Sequence, residues 1–144
     1  MSSLYPYRKF RFKVEIEGIS VGSFSEVSGF DASIEVVEYR DGDSPVATAR
    51  KLPGLVKYGN ITLKWGLIDS LELYTWIQEA INGDVKQKPV TIRLMNESGQ
   101  EEKANWSVIN AWPVKYTAPD FSSTASEVAI ETLELAHEGL TRGM

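Results

Sequence analysis

The chain has 144 residues, enough for one domain with a sizeable core, because a chain of this length buries about 70% of its surface on folding. Its 20 acidic and 15 basic residues give a net charge of −5, which argues against a general nucleic-acid binder held by phosphate contacts. It contains no cysteine, which excludes disulfides, thiolate nucleophiles and sulfur-ligated metals.

The N-terminus and the hydropathy of the chain bear on its location. The N-terminal segment lacks the apolar run of a signal peptide, and no apolar stretch is long enough to cross a bilayer. We therefore expect one domain over residues 1–144 that is made in the cytoplasm and is not stably inserted in a membrane.

The first predicted element is a β-strand from Phe10 to Glu17, in which apolar and charged side chains alternate without a break. Successive strand side chains point to opposite faces, so this strand has one buried face and one solvated face. The apolar positions, expected to pack inward, are Phe10, Phe12, Val14 and Ile16. The charged positions are Arg11, Lys13, Glu15 and Glu17.

Two more extended segments and a long loop follow. After a turn at 17–20, Val21–Phe30 is predicted to return as the second strand of a hairpin. Ala32–Arg40 is predicted to be extended, but its alternation slips, which indicates a bulge or a segment covered on both sides. Asp41–Gly54 is rich in turn formers and has no period, so it is predicted to be a long loop, and loops of this length in small domains are often functional.

A single helix is predicted, from about Ser70 to Asn82. Its apolar residues recur at three- and four-residue steps along one face, which is typical of a helix packed on a sheet. Asp69 is the expected N-cap, Glu72 stands where a capping-box partner belongs, and Gly83 suits the residue that closes a helix.

Strands are predicted on both sides of this helix. Asn60–Gly66 precedes it, and a second long hairpin follows, formed by Val90–Leu94 and Lys103–Thr117. Because proline gives no amide to the ladder, Pro113 indicates a sheet edge or a bulge. Glu127–His137 has a mixed pattern and is predicted to be a strand with a bulge.

The sequence offers little for chemistry. His137 is the only histidine, and no nucleophile or orienting carboxylate stands near it in a recognisable arrangement. An acidic group matches neither the calcium loop nor a carboxylate pair of fixed geometry, so a solvated strand end explains it better. That group is Glu35, Glu38, Asp41 and Asp43. We predict no catalytic, metal-binding or cofactor-binding residue, and hence not an enzyme.

Four tryptophans lie on predicted apolar faces. Core packing explains them better than a sugar-binding platform does. They are Trp65, Trp76, Trp106 and Trp112.

Several blocks of sequence, taken together and in order, resemble contractile phage tail tube proteins. They cover nearly the whole chain and include Phe10–Gly18, Gly22–Phe30, Glu38–Arg40, Arg50–Gly54 and Tyr58–Gly66. This family includes the tubes of bacteriophages, of phage-tail-like bacteriocins and of extracellular contractile injection systems that deliver toxins.

The resemblance implies a mainly β fold, a β-barrel or sandwich with one flanking α-helix. Six copies would close into a hexameric ring with a continuous inner β-barrel, and rings would stack into a hollow tube. The implied partners are a sheath protein, baseplate and tube-terminator proteins, and a cargo of DNA or protein toxin. The subunit would be made in the bacterial cytoplasm and assembled into a virion tail or a phage-tail-like particle that is released.

The resemblance also places candidate residues. The family has a long excursion toward neighbouring subunits where this chain has residues 41–57, so subunit or inter-ring contacts are expected at Arg50, Lys51, Leu52 and Pro53. The charged face of the first strand is expected to line the lumen or a solvated surface, through Arg11, Lys13, Glu15 and Glu17.

Two alternative functions remain open from the sequence. One is the secreted ring protein of type VI secretion, similar to the haemolysin-coregulated protein, which has a similar fold and also stacks hexamers. The other is a carbohydrate-binding β-barrel that uses exposed aromatic side chains.

Overall fold

A computed structural model describes residues 11–17, 19–40, 42, 49–66, 70–96, 98, 100–119 and 129–143. In chain order the elements are β1 Arg11–Ile16, β2 Ile19–Phe24, β3 Glu26–Ser28, β4 Ala32–Tyr39, β5 Arg50–Tyr58, β6 Ile61–Gly66, α1 Leu71–Ile81, β7 Lys88–Met95, β8 Glu102–Thr117, β9 Ile130–Ala136 and β10 Gly139–Gly143. Among these residues, no helix has the length and apolar character needed to span a bilayer.

Eight of the strands form one antiparallel sheet in the order β2-β1-β7-β8-β9-β6-β3, with β10 also paired to β8. The 16-residue β8 joins the two halves of this sheet, because its first part pairs with β7 and β10 and its last part with β9. Asn110, near the end of the first part, has a φ of +53° at a point where the register with β7 shifts, and the register with β9 shifts between Pro113 and Lys115. The predicted bulge at Pro113 is confirmed.

The two halves of the sheet close on one apolar core. Trp65 of β6 is fully buried, and its ring centroid lies 5.0 Å from that of Phe24 of β2. In β1 the predicted alternation is confirmed: Val14 and Ile16 are buried and Phe12 packs against the core, partly buried. Phe10 lies outside the described residues. The mainly β fold with one helix is as expected.

Helix α1 packs on the core through Leu73, Trp76 and Ile77. Its N-cap is Ser70, whose hydroxyl accepts a hydrogen bond from the Leu73 amide at 3.4 Å, and not Asp69 as predicted. Asp69 itself lies outside the described residues, and Glu72 is one position short of the capping-box position that a Ser70 cap requires. The prediction for the other end is confirmed, since Gly83 closes the helix with a φ of +94°.

The structure corrects the predicted loop after Arg40. Arg50–Gly54 is not part of a loop: it begins strand β5, which runs to Tyr58 and pairs with β4. The sequence pattern did not indicate this strand, because Pro53 and Gly54 are typical of turns. In addition, neither face of the strand is buried, so apolar and polar residues do not alternate along it. Residues 41 and 43–48 lie outside the described residues.

Two smaller predictions are also corrected. The returning strand Val21–Phe30 is divided at Ser25, because β2 pairs with β1 whereas β3 pairs with β6. The short strand β10 was not predicted. It follows His137, the predicted end of the last strand, and pairs with residues 105–109 of β8.

Candidate functional site: an exposed arm

Strands β4 and β5 form a separate two-stranded ribbon, which we call the arm (residues 32–39 and 50–58). Neither strand is hydrogen-bonded to the main sheet. Every residue of β4 is exposed, and so is every residue of β5 apart from the half-buried Gly54 and Tyr58. A two-stranded ribbon with water on both faces is at best marginally stable alone. The arm therefore needs a partner surface.

The arm carries most of the large apolar side chains that the described residues expose. Leu55 is 70% exposed and Val36 is 62% exposed. The others on the arm are Ile34, Val37, Tyr39, Leu52 and Val56. Single exposed apolar side chains are ordinary, but a contiguous group of them marks a surface that contacts another molecule.

One face of the arm is apolar up to the tip, where Glu38 lies opposite Lys51. Ile34 lies opposite Val56, and Val36 lies opposite Pro53, so these four side chains share a face. The register shifts between the two pairs, and the extra residue of this bulge lies in β5. The slip in the pattern of β4 has another reason: Val37 and Tyr39 are apolar side chains on the other face of the arm. The signal for this face in the sequence is the shared parity of Ala32, Ile34 and Val36, but none of the three is among the predicted site residues.

The opposite face of the arm is mixed, with Val37, Tyr39 and Leu52 beside charged side chains, and the tip is charged. Lys57 and Glu35 form an ion pair at 2.7 Å, and Lys51 lies opposite Glu38 in the ladder. Glu35 and Glu38 are both exposed, as the predicted solvated strand end requires. The other two members of the acidic group, Asp41 and Asp43, lie outside the described residues.

The four predicted contact residues are consecutive and exposed at the start of β5. They are Arg50, Lys51, Leu52 and Pro53. The structure thus places them together near the tip of the arm, with two cations next to two apolar side chains. Their role in contacts between subunits stays a prediction.

The charged face of β1 is exposed at all four predicted positions, Arg11, Lys13, Glu15 and Glu17. Arg93 of the neighbouring strand forms an ion pair with Glu15 and a second one, at 3.2 Å, with Glu102. The face is therefore a network of mixed charge. That it lines a lumen stays a prediction.

His137, the weak catalytic candidate, lies at the base of the arm. Its Nε2 atom is 3.0 Å from the carbonyl oxygen of Gly59, and its ring centroid is 5.4 Å from that of Tyr58. In the part of the chain that the structure describes, no three histidine or carboxylate side chains are grouped as metal ligands.

The tryptophans are mainly structural. Trp65 and Trp76 are buried in the core, and the Trp76 indole N–H donates to the Lys86 carbonyl at 2.8 Å. Trp106 is half-buried and stacks on Phe30, with 4.5 Å between the ring centroids. Trp112 is half-buried in β8. Core packing is confirmed for Trp65 and Trp76, and Trp106 packs against the core while partly buried.

The fold and the arm can now be compared with known proteins. The model of the T4-like virus tail tube protein gp19 family matches residues 8–141. The chain belongs to this family. Among curated proteins, by contrast, no sequence matches significantly. The resemblance seen in the sequence is thereby confirmed.

Solved structures agree with the family. A chain in the cryo-EM structure of the PVC sheath–tube complex of an extracellular contractile injection system, in the extended state, is 31% identical. The two superpose with a TM-score of 0.75, over 96% of this tail tube protein and 90% of that chain. A chain in the structure of the PVC sheath/tube terminator is 33% identical, with a TM-score of 0.77 and coverage of 97% and 98%.

Type VI secretion proteins are more distant. Hcp1 from Flavobacterium johnsoniae is 16% identical, with a TM-score of 0.57 over 93% of this chain and 95% of that one. Likeness at this identity shows a shared fold. The comparisons therefore favour a contractile tail tube over a type VI ring, and the tail tube family is a family of structural proteins.

Proposed function

We propose that this tail tube protein, as one domain, is the structural subunit of the inner tube of a contractile injection particle or phage tail. Six copies close into a ring, and the rings stack into a hollow tube. The observation that carries this proposal is the arm, whose apolar face and free strand edges are in water in the isolated subunit. Free edges and exposed apolar patches are both removed by association with identical copies.

The size of the arm fits this role. A specific protein interface engages about 20–30 residues on each side. The eight residues of β4 and nine residues of β5 supply more than half of that number. Because the surface donated by the arm differs from the surface that receives it, the contact is heterologous, and such contacts close into rings or repeat along an axis.

The predicted contact residues have a place in this scheme. Arg50 and Lys51 carry positive charge at the tip of the arm, and the subunit as a whole is negative. Contacts between identical copies are then favoured when the arm tip meets an acidic part of the next subunit. Leu52 and Pro53 add apolar area at the same point.

The function of the tube is mechanical. A surrounding sheath shortens and drives the tube through a target envelope, with baseplate and terminator proteins at its ends, and DNA or a protein toxin passes through its bore. We infer that the subunit itself catalyses no reaction. It is made in the bacterial cytoplasm and leaves the cell within the assembled particle.

The central experiment is electron microscopy and sedimentation of the purified protein at increasing concentration. Rings or tubes are expected. Two arm variants, Val36→Asp and the double variant Arg50→Glu with Lys51→Glu, should reduce the sedimenting fraction without lowering the melting temperature of the monomer. Lys103→Glu is the control, because Lys103 is exposed on the body and its ion pair with Glu101 is worth little.

Two results would refute the proposal. One is a wild-type protein that stays monomeric at high concentration, with and without baseplate components. The other is an equal loss of assembly in the arm variants and in the Lys103 control, because the arm would then have no special role.

A further inference from the structure

The backbone of Gly59, at the base of the arm, is held on both sides by side chains. The Gly59 N–H donates to Asp31 Oδ1 at 2.9 Å and also to the Asp31 main-chain carbonyl oxygen at 3.3 Å. The Gly59 carbonyl oxygen lies 3.0 Å from His137 Nε2. Since a carbonyl only accepts hydrogen bonds, Nε2 carries the hydrogen and donates it. We call this arrangement of Asp31, Gly59 and His137 the clamp.

The clamp joins the arm to the body of the subunit. Asp31 directly precedes β4 and Gly59 directly follows β5, whereas His137 follows β9 of the main sheet. Hence one bond of the clamp ties together the two ends of the arm, and the other ties the arm to the sheet. The Tyr58 ring, 5.4 Å from the imidazole between centroids, packs at the same point.

Two glycines at the base of the arm have close neighbours. A Cβ on Gly59 would lie 2.2 Å from Asp31 Oδ1. A Cβ on Gly29, whose φ is +95°, would lie 2.0 Å from the Asn60 carbonyl oxygen. The contact at Gly29 is with main-chain atoms, so a side chain there would force the backbone apart. A side chain at Gly59 would instead displace the Asp31 carboxylate from the Gly59 N–H.

Small errors in direction at the base become large at the tip. A nine-residue strand is about 30 Å long, at about 3.3 Å per residue, so a rotation of about 10° moves the tip by about 5 Å. Interfaces between subunits pack as densely as protein interiors, and a shift of this size takes side chains out of their partner sites.

We propose that the clamp fixes the direction in which the arm leaves the body, and that this direction is required for subunits to assemble. Asp31 and His137 are therefore positioning residues, which act through Gly59 and the arm. This inference rests on the proposed function, because assembly is the process that the direction serves.

Two substitutions separate the hydrogen bond from the packing of the ring. His137→Phe keeps an aromatic ring beside Tyr58 but has no donor for the Gly59 carbonyl. His137→Gln restores an N–H donor at similar reach and loses the ring. Asp31→Ala removes the shorter of the two hydrogen bonds of the Gly59 N–H and leaves the bond to the main-chain carbonyl of residue 31. It serves as an independent variant if His137→Phe does not fold.

The direction of the arm can be measured directly in the monomer. The chain has no cysteine, so the pair Lys51→Cys and Gln78→Cys carries one spin label on the arm and one on helix α1. We expect a narrow distance distribution between the labels in the otherwise wild-type protein and with His137→Gln, and a broad one with His137→Phe or Asp31→Ala.

Assembly is measured on the same variants without labels. A preorganised arm avoids the entropy cost of ordering on association. We therefore expect the association constant of the subunits to fall about tenfold with His137→Phe or Asp31→Ala, and to return to the wild-type value with His137→Gln. Equally narrow distributions in all variants would overturn the inference, and so would broad distributions with unchanged assembly. Failure of the wild-type protein to assemble would refute the proposed function, while the distance distributions would still report whether the clamp orients the arm.

Discussion

Glu131 accepts a hydrogen bond from the Tyr116 hydroxyl at 2.5 Å, and only 1% of its surface is exposed. Its other carboxylate oxygen accepts a hydrogen bond from Tyr74, also at 2.5 Å. Tyr74 belongs to α1, Tyr116 to β8 and Glu131 to β9, so one buried carboxylate connects the helix with two strands of the sheet. A buried carboxylate is costly unless donors surround it, and the two tyrosines are its donors here.

Removing either tyrosine hydroxyl should destabilise the subunit. Tyr116→Phe leaves one oxygen of the buried Glu131 without its donor, and a hydrogen bond to a charged group contributes about 1.5–3 kcal/mol. We expect a loss of this size in the free energy of unfolding, measured with urea on the monomer at neutral pH. Tyr39→Phe is the matched control, because Tyr39 is exposed on the arm, and its effect should be close to zero. Equal effects of the two substitutions would contradict this account.

The same tyrosines predict a loss of stability in alkaline solution. Burial, together with the hydrogen bond to Glu131, raises the pKa of Tyr74 to about 12, and the same causes raise the pKa of Tyr116. Tyrosine in an unfolded chain has a pKa near 10. Below pH 10 the two tyrosines keep their protons in both states, and their full contribution to the free energy of unfolding is present. Above pH 10 the unfolded chain releases these protons while the folded chain retains them, so the free energy of unfolding falls as the pH rises toward 12.

The urea midpoint between pH 9 and pH 11 measures this loss. The wild-type midpoint should fall steeply above pH 10. With Tyr74→Phe the fall should be shallower, since this variant lacks one of the two hydroxyl groups whose pKa is raised by folding. Other groups also titrate in this range, so the difference between the two curves is the informative quantity. Parallel curves would show that Tyr74 does not contribute.

The sequence predicted those elements in which one face is buried and the other is wet. In β1, Val14 and Ile16 are buried whereas Lys13 and Glu15 are exposed, and this one-sided burial is what produces alternation. The helix was predicted for the same reason, through Leu73, Trp76 and Ile77. Its N-cap, Ser70, lies one residue after the predicted Asp69, because aspartate and serine both serve as caps.

The arm was only half predicted because it has no buried face in the subunit. Its β4 strand was recognised from β-branched residues, but Arg50–Gly54 of β5 has no period and contains two turn formers. The clamp could not be predicted, because it joins Asp31, Gly59 and His137 from distant parts of the chain. Only the fold brings them together.

Asn110 supplies a prediction about backbone conformation. Its φ of +53° lies in the left-handed region, which costs an ordinary residue about 1–2 kcal/mol. Asn110→Ala and Asn110→Gly both lose the amide that bonds Glu138 at 3.2 Å, so they differ mainly in this backbone cost. We expect the glycine variant to be more stable than the alanine variant by about 1 kcal/mol in urea unfolding. If the alanine variant is the more stable, as is usual inside a strand, then residue 110 does not hold a positive φ in solution.

The position of the β1 face can be tested in assembled tubes. If this face lines the lumen, Lys13→Cys, the only cysteine in that variant, should react with a small maleimide but be protected from one linked to a bulky polymer. Gln78→Cys, on the exposed side of α1, should react with both reagents. In dissociated subunits both cysteines are in water and should react alike, which controls for intrinsic reactivity. If the bulky reagent labels Lys13→Cys in tubes as fast as it labels Gln78→Cys, the charged face of β1 lies outside the bore, and the lumen must be lined by another face of the sheet.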